Sequence, residues 1–167
     1  MTDIVFNTDN QTIKQSKEKI MTQANQPTNY DDSNIFAKML DGDIPYHKVY
    51  EDDKTLAFMD IMPQAEGHVL VIPKQKAVDL GDLEPEYAAA VLMTSKKIVQ
   101  AQRQLFEREG VIQMQLNGSQ AGQTVFHYHV HLIPSSIHEL GRHAVTQANH
   151  GKLAETAKQL AAVISTL

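Results

Sequence analysis

The chain has 167 residues, a length that suits one domain with room for a tail. Lys and Arg total 15 against 20 Asp and Glu, a net charge of −5, which argues against a polybasic surface for nucleic acid or membrane but leaves room for a small anionic ligand. No cysteine is present, which excludes disulfides, a thiol nucleophile and Cys-ligated zinc, and no apolar run approaches the roughly 18 residues of a membrane span.

Residues 1–33 are rich in Asn, Gln, Thr, Asp and Lys and poor in core formers. They are expected to be disordered, with a weak helix around residues 13–21. They show no basic-then-apolar secretory pattern, so the expected location is the cytoplasm. The folded part is expected from Asn34. Ile35, Phe36, Met39 and Leu40 have helical spacing, and Gly42 is the stop signal. Residues 49–51 and 55–61 flank Asp52-Asp53 and read as a hairpin. In the second of these strands Leu56, Phe58 and Asp60 share one face, while Ala57, Met59 and Ile61 share the other. Residues 68–72 are apolar on both faces, as in a central strand, and Pro73 closes it. Pro85 suits the first position of a long helix, expected to run to about Glu109 before Gly110. Glu84 precedes it, so Asp82 or solvent is expected to cap that helix. Ile112, Met114 and Leu116 alternate with glutamines in a half-buried strand, a loop covers residues 117–122, and a last strand is expected over residues 126–133. Leu153, Ala157, Leu160 and Ile164 form one stripe of a C-terminal helix. Hairpin strands with segregated helices imply an α+β fold around an antiparallel sheet, with an extension (1–33), a domain (34–137) and a helical tail (138–167).

The chemistry concentrates in residues 122–134, where His127, His129 and His131 sit at i, i+2 and i+4. In a strand that spacing puts three imidazoles on one face and Phe126, Tyr128, Val130 and Leu132 on the other. Three readings are open: a polar outer face, a metal site, or phosphate chemistry. The third is favoured by the amide and hydroxyl donors just upstream, namely Asn117, Gln123 and Thr124, and by the fitness of neutral imidazole as a nucleophile near pH 7.

The run His127-Tyr-His-Val-His-Leu-Ile resembles the signature of the histidine triad (HIT) family. Gly42-Asp-Ile-Pro45, Ala57-Phe-Met-Asp-Ile61, Pro63-Gln-Ala-Glu-Gly-His68 and Asn117-Gly-Ser-Gln-Ala-Gly-Gln-Thr124 extend the resemblance over roughly 100 residues. It points to the bacterial nucleotide-binding branch. The resemblance implies an α+β fold with five antiparallel strands, one long helix and a C-terminal helix. It also implies cleavage at the α-phosphate of a nucleoside phosphoramidate, or a related purine nucleotide, through a covalent nucleotidyl-histidine. His129 would be the nucleophile, oriented by the His127 carbonyl, with the His127 side chain pairing with a supporting His68. His131, Thr124, Gln123 and Asn117 would hold the phosphate, and Thr124 would protonate the leaving group. Asp60 would take the ribose, and Phe36, Ile44, Phe58 and Ile61 the base. The implied partners are the nucleotide and a second copy of the chain in a homodimer, with no nucleic acid, membrane, metal or cofactor. A dinucleoside polyphosphate hydrolase and a nucleotide-binding interaction protein with slow turnover are the rivals. Some members carry zinc on a Cys-x-x-Cys and a later histidine; the corresponding positions here are Asn34, Ala37 and Lys76.

Overall fold

The structure, a computed structural model, describes residues 30–140 and 148–167. The helix expected around residues 13–21, and most of the disorder expected over residues 1–33, lie outside the described residues. In chain order the elements are α1 (Ile35–Leu40), β1 (Lys48–Glu51), β2 (Thr55–Met59), β3 (Val69–Pro73), α2 (Pro85–Phe106), β4 (Ile112–Met114), β5 (Val130–Ile133) and α3 (His150–Ile164). A 3-10 turn at Ser119–Ala121 breaks the loop before β5. The five strands form one sheet in the order β1-β2-β3-β5-β4, with every neighbouring pair antiparallel. Among the described residues no helix is long and apolar enough to cross a membrane.

The alternation of β2 decides which side of the sheet does what. Ala57 and Met59 join Val69, Val71, Val130 and Leu132 under α2 and α3. Leu56 and Phe58 point the other way and join Leu70, Ile72 and the α1 residues Phe36 and Met39 in a second, smaller core. Successive residues of a strand face opposite sides, and β2 is buried on both. The register then sets Phe58, Leu70 and His131 in one row across β2, β3 and β5. The triad therefore shares the α1 face, while the long helices occupy the other.

Several boundaries differ from expectation. The long helix ends at Phe106 rather than Glu109, because Glu107 takes a left-handed conformation (φ 50°) and breaks the hydrogen-bond ladder before Gly110 is reached. Its start carries no side-chain cap: Asp82 accepts the Val78 N–H instead. The last strand begins at Val130, not Phe126, so His127 and His129 precede the ladder rather than lie in it. Phe126, expected on the helix-facing side, is 41% exposed. α3 follows its expected stripe, burying Leu153, Ala157 and Leu160.

Two ties connect the helix side to the site. The side-chain amide of Gln102, fully buried on α2, donates to the carbonyls of Gly67 (2.8 Å) and Leu132 (3.0 Å), next to His68 and His131. The Ala148 N–H, just before α3, donates to the Ile61 carbonyl at 3.0 Å.

Candidate active site

On the α1 face a cavity of about 400 Å³ opens between α1, the end of β2 and the histidine segment. Of the residues singled out in the sequence, Phe36, Phe58, Ile61, Asp60, Thr124, His129 and His131 line it. Ile35, Met39, Tyr46, Met62, Leu70 and Val125 also line it, and sequence reasoning did not single these out. The Tyr46 ring lies 5.9 Å from that of Phe58, a contact between residues distant in sequence. Ile44 packs in the small core and is not part of the wall. The wall is mostly apolar, and its polar groups (Asp60, Thr124, His129, His131) are few, as in most small-molecule pockets.

The imidazoles have distinct jobs. His129 Nδ1 lies 2.7 Å from the His127 carbonyl. A carbonyl only accepts, so the proton sits on Nδ1 and Nε2 keeps its lone pair. Burial holds the His129 ring below the usual imidazole range, with the His127 carbonyl and the Asp60 charge pulling weakly the other way. The ring is therefore neutral at neutral pH and competent as a nucleophile. Phe36 stands edge-on to it at 5.2 Å, and the His131 ring at 5.0 Å.

The pairing of His68 departs from expectation. Its Nε2 meets His131 Nδ1 at 3.0 Å, not His127. The row of β3 and β5 explains this, since His131 is level with Leu70 while His127 lies past the end of the ladder. His68 Nδ1 receives the Gln64 N–H at 3.2 Å, and Asp60 Oδ2 lies 3.4 Å away. In a neutral His68 the accepting Nδ1 leaves its proton on Nε2, which then donates to His131 and puts the His131 proton on its own Nε2. His127, fully buried, sets Nε2 against the Pro73 carbonyl at 3.0 Å and Nδ1 against the Tyr30 hydroxyl. Burial pushes its pKa down to about 4.

Asn117 and Gln123, expected at the phosphate, hold their own loop instead. Gln123 donates to the carbonyls of Val78 and Val125 and accepts the Gly118 N–H. Asn117 Oδ1 accepts from the Leu80 N–H and the Gln115 amide. Neither lines the cavity. Glycine-rich loops need such internal ties to keep a shape.

Comparison with known proteins agrees with this layout. A family model described as the HIT domain matches residues 41–138. The chain belongs to the HIT-domain family. It is 46% identical over 100 residues to the Protein hit of Bacillus subtilis, a match covering 60% of this chain and 69% of that one. It is 41% identical over 107 residues to the adenosine 5'-monophosphoramidase hnt1 of Schizosaccharomyces pombe, covering 64% and 77% of the two chains. The crystal structure of a Hit-like protein from Bartonella henselae superposes with a TM-score of 0.75 at 41% identity, over 80% of this chain and 98% of that one. The five-stranded antiparallel sheet with its helices is thus the HIT fold.

The zinc carried by some HIT proteins does not fit this chain. Asn34 Oδ1 caps α1 by accepting the N–H groups of Phe36 and Ala37, Ala37 is buried, and Lys76 is ion-paired with Asp32 at 2.7 Å. None of these three offers a thiolate or imidazole. A different donor set, Asp60, His68 and His131, has ligand atoms within 4.8 Å of one another.

Proposed function

We propose that the protein is a nucleotidyl hydrolase or transferase acting on a nucleoside phosphoramidate or related nucleotide through a covalent bond to His129. The observation that carries this reading is the 2.7 Å contact between His129 Nδ1 and the His127 carbonyl, which commits the Nε2 lone pair of a cavity-lining ring. The His129 Nε2 lone pair attacks the α-phosphorus, and the bond from phosphorus to the leaving nitrogen breaks. The departing amine takes its proton from the Thr124 hydroxyl, which lines the same cavity. His131, with its proton on Nε2, stabilises the negative oxygens as charge develops. Water then attacks phosphorus and gives up its proton to Thr124, restoring the hydroxyl, and the bond from phosphorus to His129 Nε2 breaks to release neutral His129 and a nucleoside monophosphate. Asp60 accepts the ribose hydroxyls, and Phe36, Phe58 and Ile61 hold a flat base between apolar surfaces. The phosphoramidase name of the relative in Schizosaccharomyces pombe supports the choice of substrate. Pairing into a homodimer belongs to the same reading, and Leu92 and Met93, 60% and 57% exposed on α2, are the apolar residues it would cover.

The test is turnover of a nucleoside 5'-phosphoramidate by the wild type and by His129→Ala, with an acid quench and mass measurement for the adduct. We expect amine release, a trapped nucleotidyl adduct, and a loss of several orders of magnitude in His129→Ala with nucleoside monophosphate binding retained. Turnover of the variant within tenfold of wild type removes His129 from the role. No turnover by the wild type, with a nucleotide still bound, favours the interaction-protein reading. Activity lost to EDTA and restored by a divalent cation favours a metal on Asp60, His68 and His131.

A further inference from the structure

His127 depends on a residue outside the segment that the HIT-domain model matches. Its ring is fully buried, and both nitrogens are engaged. Nε2 faces the Pro73 carbonyl, which can only accept, so Nε2 carries the proton and Nδ1 needs a donor. Tyr30 supplies that donor from before α1, whereas the matched segment begins at residue 41. Its placement is not casual. The Tyr30 ring stands edge-on to His127 with centroids 5.5 Å apart. Two residues on, Asp32 is clamped to Lys76, and Asn34, which caps α1, ties back to the Asp31 carbonyl. Burial raises the pKa of the Tyr30 hydroxyl, the Asn34 amide partly opposing it, so the group stays protonated and able to donate.

We propose that Tyr30 is a positioning residue of this site: its hydroxyl holds the His127 ring in a single tautomer and thereby fixes the carbonyl that aligns His129. The argument rests on the reading of His129 as the nucleophile. β5 begins only at Val130, so no ladder bond supports His127 itself. Its ring is instead a strut between the end of β3 and the Tyr30 strap, while the neighbouring Tyr128 N–H is pinned to the Ala77 carbonyl at 2.7 Å. Without the hydroxyl, the buried Nδ1 is left with no donor from Tyr30. The preference for Nε2–H over Nδ1–H then weakens, the strut loosens, and His129 is aimed less well. Orienting partners of this kind act on the reacting group through the bond they fix rather than through the substrate.

The experiment is Tyr30→Phe, which keeps the ring and removes only the hydroxyl. Two readouts are taken: steady-state kinetics with a nucleoside 5'-phosphoramidate, and the imidazole nitrogen chemical shifts of His127 in the free protein. We expect kcat to fall about tenfold with KM kept within about twofold. We also expect the His127 Nδ1 signal to move away from that of a hydrogen-bonded acceptor, while the melting temperature falls by only several degrees, as for one buried acceptor left unsatisfied. A kcat within twofold of wild type, or unmoved nitrogen shifts, overturns the proposal, as does a change confined to KM. Should the wild type hydrolyse no phosphoramidate, the functional reading fails by itself. The nitrogen shifts, measured without substrate, still decide whether Tyr30 sets the tautomer.

Discussion

Buried neutral imidazoles make the site acid-sensitive in a way that can be signed. His127 and His129 both lie below the usual imidazole range because burial disfavours their charged forms, His127 reaching about 4. The unfolded chain therefore binds more protons than the folded one between the folded values and about 6.5, and stability rises with pH across that window. Their contribution is fully present above about pH 6.5 and is lost as pH falls through the folded values. His127 alone should forfeit about 2 kcal/mol between about pH 7.5 and pH 5. Urea midpoints measured across that range should decline steadily on acidification. A flat profile would mean the rings charge as easily folded as unfolded. At this scale the spacing in the sequence singled out the clustered histidines, but not their partners. Which imidazole meets His68 depends on where the β5 ladder starts, and no spacing within residues 127–131 encodes that.

Among the elements, the turn before β3 is the tightest. Gly67 has a φ of 81°, and a Cβ there would come within 2.3 Å of the Phe106 ring at the end of α2. Gly67→Ala thus meets both left-handed backbone strain and a clash, and should cost about 3 kcal/mol. Adding Phe106→Leu should relieve the clash and leave the strain, recovering roughly half in chemical denaturation. A single substitution that costs under about 0.5 kcal/mol would show that the turn rearranges freely. Because Gly67 precedes His68, the same change should disturb the His68–His131 pair. Elements with a strong period were legible in advance: α1, β2 and β3 begin within two residues of expectation, and α3 buries three of the four residues of its expected stripe. The misses have physical causes. α2 stops where Glu107 turns left-handed, three residues before Gly110. The strand expected from Phe126 joins the ladder only at Val130: β3 pairs with it no further than Val71, and the Tyr128 N–H bonds the Ala77 carbonyl beyond β3 instead. Alternation reports which face a side chain takes, not whether a partner strand reaches it.

For the molecule as a whole, the family segment is not the whole folding unit. The HIT-domain match covers residues 41–138, yet Leu153, Ala157 and Leu160 of α3 are buried in the larger core, and Ala148 is bonded to the cavity residue Ile61. A chain ending at residue 140 should melt far below the full chain, since burying each large aliphatic side chain is worth about 1.5–3 kcal/mol. Its nucleotide affinity should fall as the Ile61 wall loses its tie. Stability within about 1 kcal/mol of the full chain would mean α3 is an appendage. The uneven lining of the cavity has a further consequence. Its charged and donor groups, Asp60, Thr124, His129 and His131, gather around the chemistry, and the remaining wall is almost wholly hydrocarbon, aromatic ring and thioether. Such a wall can measure thickness and flatness but has little means of spelling out which heterocycle it grips, because hydrogen-bonding edges find few answers there. Exchanging one flat ring for another of equal girth should cost such a receptacle little, while adding or removing a negative charge at the other end should cost it dearly. Under the proposed function, such a receptacle would discriminate between linkages and be indifferent to letters.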